Sequence, residues 1–248
     1  MPSAPWTPRH TAAALAGGHL LIAGAPGTGK SRLLNGTLLP ALVRAGDPLL
    51  VIQDPATGHG PTLGLRAATF GREAAVGDLL ARPTLVTFTG THPEREAQAE
   101  RLFADLPAAL AAAPAPAGAR RFLVIDVAPL TPALRSFAPL LRQARSLGCT
   151  LLVTCQSPSS LEPGLPALFT SQVAFYHFYK RCLRVMAENV LAATGAAETN
   201  PSGKPTPINR FGQPLATPVS RMVGKLGDLK VGECFLVTPG APYEPLRT

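Results

Sequence analysis

The stretch "LLIAGAPGTGKSRLL", residues 20–34, constrains the fold of this chain most, because it joins a short apolar run to a glycine-rich turn and then to a helix-like pattern. The turn matches G-x-x-x-x-G-K-[ST], a motif that binds nucleotide phosphates through backbone N–H groups. The apolar run indicates a strand, and the leucine spacing after the turn indicates a helix whose positive end faces the phosphates. We expect ATP as the ligand, with Lys30 near its β- and γ-phosphates and Ser31 bound to Mg²⁺. The predicted phosphate cradle is Gly24, Ala25, Pro26, Gly27, Thr28, Gly29, Lys30 and Ser31.

Short apolar runs alternate with helix-like segments along the rest of the chain, which is typical of an α/β fold with a parallel sheet. The chain has 248 residues, of which 46% are hydrophobic and 15% charged, and this composition predicts a globular core. Strands are predicted at residues 19–23, 49–53, 84–88, 122–126 and 150–154, with a further pair at 173–178 and 234–237. Helices are predicted at residues 30–44, 93–112 and 132–147.

The chain is predicted to form an N-terminal arm, residues 1–17, and one domain, residues 18–248. Two segments rich in Gly, Pro and Thr, 55–72 and 198–218, predict long loops, and loops beyond about 12–15 residues are usually functional or disordered. The four cysteines lack metal-ligand spacing, so we expect them to be buried and reduced in a cytoplasmic protein. The N-terminus lacks the layout of a signal peptide, and no apolar run is long enough for a transmembrane segment.

A second candidate metal ligand lies in "RRFLVIDVAPL", residues 120–130, where Asp126 follows four apolar residues. An acid at the end of a buried strand is the usual partner of the loop serine in holding Mg²⁺. We therefore expect Asp126 and Ser31 to share one metal ion. The alternative is that Asp126 only caps a following helix.

Three further segments resemble those of FtsK–HerA-type ATPases, in the same order along the chain. They are "LLVIQDPATG" (49–58), "ARSLGCTLLVTCQSPSSL" (144–161) and "LGDLKVGECFLVTPG" (226–240), the last with a Leu-x-x-Gly-Glu turn. The resemblance implies a RecA-like P-loop NTPase fold of the ASCE type, with a mostly parallel central sheet flanked by helices. It also implies that the strand ending at Gln156 lies between the loop strand and the Asp126 strand. Gln156 would then sense the γ-phosphate or orient water, and the alternative is an ordinary loop amide.

One position departs from the pattern of that family, in which a second acid follows the aspartate. Val127 stands there, so either Gln156 or another acid, such as Asp54 or Glu162, positions water, or hydrolysis is slow. The resemblance also implies an arginine donated by a neighbouring subunit.

The candidate arginines lie on the helix predicted at residues 132–147 and in the loop predicted at residues 198–218. Arg142 and Arg145 are favoured, and Arg135 and Arg210 are weaker candidates. The alternative for each is a solvated surface arginine.

The net charge of +8 indicates a polyanionic partner, either nucleic acid or an anionic membrane surface. Cations in the two predicted loops are the candidate contacts to a DNA backbone: Arg66, Arg72, Lys204 and Arg210. The aromatic run "FYHFYKR" (175–181) could stack on bases, but its alternation favours a buried strand.

The resemblance implies a homo-oligomeric ring that hydrolyses ATP to translocate double-stranded DNA without sequence specificity. The small size favours packaging of a viral genome, with the protein in the host cytoplasm or associated with the virion and docked on a capsid or membrane protein. A plasmid or cellular DNA translocase, such as a conjugative coupling ATPase, is the near alternative. A P-loop kinase and a nucleotide-gated binding module are alternatives from other classes.

Overall fold

The computed structural model of the protein describes residues 3–16, 18–53, 64–70, 76–113, 119–126, 138–162, 164–177, 180–194, 218–238 and 245–248. The strands in these ranges are β1 (Ala4–Pro5), β2 (Leu20–Ala23), β3 (Leu49–Gln53), β4 (Arg66–Thr69), β5 (Thr84–Thr87), β6 (Arg121–Asp126), β7 (Cys149–Cys155), β8 (Ser171–Phe175), β9 (Glu233–Val237) and β10 (Pro245–Arg247). The α-helices there are α1 (Pro8–Ala16), α2 (Lys30–Leu33), α3 (Leu39–Ala45), α4 (Val76–Leu80), α5 (His92–Ala112), α6 (Ala138–Gln143), α7 (Lys180–Thr194) and α8 (Pro218–Gly227). Short 3₁₀ turns occur at Pro158–Ser160 and Leu165–Leu168.

The strands form one sheet in the order β1-β10-β9-β8-β2-β7-β6-β3-β5-β4. From β8 to β4 all neighbours are parallel, whereas β9 runs antiparallel to β8 and β10. β7 lies between β2 and β6, as the resemblance implied. The predicted fold class, a mostly parallel sheet flanked by helices, is confirmed.

Helices cover both faces of the sheet, which explains why its central strands are continuous apolar runs. In β2, Leu21 packs into a core that includes residues of α4 to α8, whereas Leu20 and Ile22 pack into a second core with residues of α1 to α3. Because all strands from β8 to β4 run in one direction, their carboxyl ends lie side by side at the same end of the sheet. Polar side chains at these ends are therefore brought together.

The strand predicted at residues 173–178 was wrong at its carboxyl end. β8 stops at Phe175, and helix α7 begins at Lys180 within the aromatic run. The physical reason is that the Tyr176 carbonyl accepts a hydrogen bond from the loop N–H of Ala25, at 2.9 Å, and no longer belongs to a strand ladder.

The loop predicted at 55–72 contains the short strand β4, whose backbone pairs with β5 at the sheet edge. Most of that segment, and residues 198–217, lie outside the described residues. At Pro218, helix α8 begins. Residues 4–5 and 8–16 of the predicted arm form β1 and α1, and β1 pairs with β10.

The helix predicted at residues 30–44 contains a π-helical turn at Leu34–Leu38 between α2 and α3. Pro40 lacks an N–H, and in a regular α-helix its ring would clash with the carbonyl of Gly36. The wider π turn relieves that clash. The helix predicted at 132–147 is described from residue 138 onward, where α6 ends at Gln143 and a turn follows at residues 144–148, so the prediction was wrong at its carboxyl end.

Candidate nucleotide-binding site

The predicted phosphate loop joins the carboxyl end of β2 to helix α2, and neighbouring strand ends hold its first two residues. The Gly24 N–H donates to the Cys155 carbonyl at 3.3 Å, and the Ala25 N–H donates to the Tyr176 carbonyl at 2.9 Å. A Cβ atom on Gly24 would lie 2.5 Å from the Cβ of Phe175, so only glycine fits there. The loop is therefore fixed to β7 on one side and to the end of β8 on the other.

The remainder of the loop curls through two glycines with left-handed backbone angles. Gly27 has φ 74° and Gly29 has φ 113°, which glycine adopts without strain. The Thr28 hydroxyl donates to the Ala25 carbonyl at 2.7 Å and closes the turn. Such a curl turns successive backbone N–H groups toward a common point, where an anion binds.

The ammonium group of Lys30 lies inside the loop. Its Nζ donates to the carbonyls of Gly24 and Ala25, each at 2.8 Å. Burial lowers the pKa of Lys30, and the nearby Asp126 carboxylate opposes that shift. Phosphate oxygens carry more charge than carbonyl oxygens, so a bound triphosphate would be the stronger partner for this ammonium group.

Asp126 lies at the end of β6 in a row of polar side chains from three strands. It is 4% exposed, and its register partners are Gln53 on β3 and Thr154 on β7. The Thr154 hydroxyl donates a short hydrogen bond to Asp126 Oδ1, and the Gln53 Nε2 donates to Oδ2 at 3.4 Å. Two donors thus orient a buried carboxylate.

Gln53 and Thr154 were not predicted from the sequence, although a signal for them was present. Each of the runs "LLVIQ", "FLVID" and "LLVT" ends in a polar residue. Since parallel strands align their carboxyl ends, three such endings predict a polar row beside the loop.

These residues fit a magnesium ion. Mg²⁺ keeps several waters and takes one or two carboxylates together with phosphate oxygens. Asp126 is an oriented carboxylate close to Lys30, and Ser31 follows in the first turn of α2. Within the described ranges no group of three His, Cys, Asp or Glu side chains could hold a metal, so the expected ligands are Asp126, Ser31 and the phosphates of the nucleotide.

Gln156 directly follows β7, on the strand between β2 and β6, and its side chain is exposed. The adjacent backbone reaches the loop through Cys155, whose carbonyl accepts the Gly24 N–H. The buried ring of His177 hydrogen-bonds to the Gln156 backbone, and burial together with the charge of Lys30 lowers the pKa of His177. His177 thus links Gln156 to the phosphate loop, a role that its sequence context did not reveal.

Of the two favoured arginines, Arg142 pairs with an acid of its own chain and Arg145 lies beside the start of β2. Arg142 Nη2 is 3.1 Å from Oε1 of Glu162, in an exposed ion pair. Arg145 lies against Gly18, where a Cβ atom would be 3.0 Å from its Nη2. Gly18 precedes the amino end of β2, whereas the loop with Lys30 follows the carboxyl end of β2. Arg145 and Lys30 therefore lie at opposite ends of this strand.

The candidate DNA contacts are mostly outside the described residues. Arg66 is half-buried at the amino end of β4, at one edge of the sheet. Arg72, Lys204 and Arg210 lie outside the described ranges, as do Arg135, Asp54 and Val127. Among the described cysteines, Cys149, Cys155 and Cys234 are buried and Cys182 is half-buried.

The Leu-x-x-Gly-Glu turn, residues 229–233, lies on the other side of the loop from Gln156. The Gly232 N–H donates to the Thr28 carbonyl at 3.0 Å, and Thr248 donates its own N–H to the Gly232 carbonyl at 2.8 Å. A Cβ atom on Gly29 would lie 3.3 Å from the Cα of Gly232 and 3.4 Å from Oγ1 of Thr248. This contact depends on the pairing of β8, β9 and β10, which a single run of sequence does not specify.

None of the helices in the described part of the chain combines the length and the hydrophobicity needed to cross a bilayer. No protein-family model matches the sequence, and no curated protein matches it. The fold, however, is similar to solved structures of P-loop ATPases.

The genome packaging NTPase B204 from Sulfolobus turreted icosahedral virus 2, in complex with sulfate, has a TM-score of 0.58 at 14% identity, over 93% of this chain and 96% of that chain. The bacterial conjugative coupling protein TrwB has a TM-score of 0.58 at 13% identity, over 92% of this chain and 84% of that chain. The cytoplasmic domain of the Type VII secretion ATPase EccC from Thermomonospora curvata has a TM-score of 0.52 at 19% identity, over 93% of this chain and 25% of that chain. This chain therefore has the fold of the FtsK–HerA-type P-loop ATPases, as its sequence motifs implied.

Proposed function

We propose that this protein binds Mg²⁺-ATP in the loop of residues 24–31 and hydrolyses it to move double-stranded DNA through a homo-oligomeric ring. The observation that carries the proposal is the position of β7 between β2 and β6. Gln156, Asp126 and the loop thereby follow the carboxyl ends of three adjacent strands. A separate phosphate loop would support binding alone. The three elements together supply a phosphate cradle, a metal ligand and a group that can orient water.

Each residue has a distinct task in the proposed reaction. Lys30 leaves its two carbonyl partners for the β- and γ-phosphates, and Asp126 and Ser31 hold the metal ion, which neutralises phosphate charge when bound. The Gln156 amide both donates and accepts hydrogen bonds, so it can align a water molecule with the γ-phosphate. Positioning and charge stabilisation dominate phosphoryl transfer, so hydrolysis can proceed with a valine after Asp126.

The proposed site is completed by an arginine of a neighbouring subunit. Such arginines accelerate phosphoryl transfer by about 10³–10⁵-fold in other systems. Arg145 is our first candidate, because it lies at the amino end of β2, away from the loop of its own chain, and so could serve only a neighbouring subunit. Arg142 is the second, although its ion pair with Glu162 would have to open.

Packaging of a viral genome is the role that we favour, since B204 is a genome packaging NTPase and the two chains match over nearly their whole lengths. Conjugative DNA transfer is the second candidate, because TrwB has the same TM-score. A capsid gene beside the coding gene would favour packaging, and conjugation genes there would favour transfer.

The test of the proposal is ATP hydrolysis by the purified protein with and without long linear duplex DNA. We expect DNA to stimulate hydrolysis irrespective of its sequence, and the stimulation to fall steeply between about 50 mM and about 200 mM salt, because phosphate contacts release counterions. Stimulation by a small metabolite in place of DNA would contradict the proposal and favour a kinase. Nucleotide binding without turnover would favour a nucleotide-gated binding module.

A further inference from the structure

The arrangement of strands gives the bound triphosphate a direction. Asp126 and Gln156 end β6 and β7, which lie on one side of β2. The reacting end of the triphosphate must lie near these two residues. The nucleoside end must therefore extend to the other side of β2, where β8, β9 and β10 lie.

The turn of residues 229–232 stands on that other side, in direct contact with the loop. Gly232 donates its N–H to Thr28, and its Cα would be 3.3 Å from a Cβ atom on Gly29. The turn is thus positioned beside the loop by backbone contacts. It lies where the nucleoside end of the ligand is expected.

Side-chain and backbone bonds brace this turn. The Glu233 carboxylate accepts the Lys230 N–H at 2.9 Å and the Ser3 hydroxyl at 2.8 Å, and these bonds lower the pKa of Glu233. The Glu233 N–H donates back to the Lys230 carbonyl at 2.9 Å. Gly232 has φ 83°, and its carbonyl accepts two bonds from Thr248. A turn held by this many bonds presents its outer side chain at a fixed position.

The outer side chain of the turn is Val231, which is 76% exposed. Among the large hydrophobic side chains in the described part of the chain, Val231 is the exposed one. An apolar group held rigidly beside a phosphate site gains free energy only by covering another apolar surface. The face of a nucleobase is such a surface.

We infer that the turn of residues 229–232 forms the nucleobase side of the ATP site, with Val231 packing against the face of a purine. The inference rests on the proposed binding of a nucleoside triphosphate in the loop. The N–H and carbonyl groups of Lys230 are already bonded to Glu233, so Val231 recognises the area of the base and not the pattern of its edge. Purine nucleotides are therefore preferred over pyrimidine nucleotides, and ATP and GTP bind with similar affinity.

Calorimetric titration with two ligands, Mg²⁺-ATP and Mg²⁺-tripolyphosphate, tests the inference because only ATP carries a base. Val231→Ser is expected to weaken ATP binding about fivefold, since covering one face of a valine provides part of its full burial gain. Tripolyphosphate binding should stay unchanged. Val231→Phe, with a larger apolar face, should strengthen ATP binding and provides a second measure if the serine variant is unstable.

Two further variants serve as references. Val43→Ser makes the same substitution on α3, close to the amino end of β3. It should leave the affinities for ATP and for tripolyphosphate unchanged. Lys30→Ala should weaken the binding of both ligands. Equal affinities of the wild type and both Val231 variants for ATP would overturn the inference while the proposed function stands. A wild-type protein that binds neither ligand would overturn the proposed function together with the inference.

Discussion

The hydrogen bond between Thr154 and Asp126 provides a sharp test of the site, because one methyl-for-hydroxyl exchange removes it. Thr154→Val keeps the shape of the side chain and deletes the donor to Asp126 Oδ1. The remaining donor, Gln53 Nε2, lies at the long distance of 3.4 Å. Within the described part of the chain, the variant therefore leaves the buried carboxylate with one weak hydrogen-bond donor.

The expected effect on stability follows from the charge and burial of the acceptor. A hydrogen bond to a charged group contributes about 1.5–3 kcal/mol, and Asp126, only 4% exposed, has little water to replace it. We expect a loss of about 2 kcal/mol, which lowers the unfolding temperature of a chain of this size by about 4–8 °C. In an Asp126→Asn background the same change at Thr154 should cost about half as much, because a neutral acceptor bonds more weakly.

The expected effect on metal binding is separate. Residues that orient a metal ligand typically contribute about 10–100-fold to metal affinity. Thr154→Val should therefore raise the Mg²⁺ concentration required for half-maximal ATP hydrolysis at least about tenfold.

The assays are thermal unfolding and Mg²⁺ titration of hydrolysis, with Thr150→Val as the matched control at the other end of β7. An unfolding temperature equal to that of the wild type would refute the orienting role of Thr154. So would an equal loss of stability in the Asp126→Asn background.

Three more predictions address other parts of the protein. Gln156→Ala should leave ATP binding intact but slow single-turnover hydrolysis at least about tenfold, as positioning residues do; an unaltered rate would exclude the role. Arg145→Ala subunits mixed with wild-type subunits should lower activity more than dilution requires, and a linear response would exclude action across an interface. His19 accepts the Leu151 N–H on Nδ1 at 3.1 Å, and burial, aided by the charge of Arg145, lowers its pKa from 6.5 to about 4. The free energy of unfolding should thus be highest above pH 6.5 and fall by up to about 3 kcal/mol toward pH 4. In His19→Gln, denaturation curves measured across this range should show a smaller dependence of that free energy on pH.

The part of the site that could be predicted from sequence is the part written in single segments. The loop of residues 24–31 combines strand, glycines and helix in one stretch, and Asp126 ends an apolar run. The position of β7 could be anticipated because the motifs occur in a known order. These features do not depend on the register between distant segments.

The remaining features depend on register and on pairing between distant parts of the chain. Thr154 and Gln53 become partners of Asp126 only when three strands align their ends. The turn at Gly232 reaches the loop because β9 reverses direction beside β8. Strand β4 escaped prediction since its sequence, Arg-Ala-Ala-Thr, has little β-propensity and its pairing with β5 supplies the order.

The central claim, that this site converts hydrolysis into movement of duplex DNA, is tested most directly by displacement of a third strand bound to linear duplex DNA. The wild-type protein is expected to release that strand with Mg²⁺-ATP, whereas Lys30→Ala and Gln156→Ala should not. Rapid ATP hydrolysis in the presence of duplex DNA, with the third strand left in place, would contradict the account.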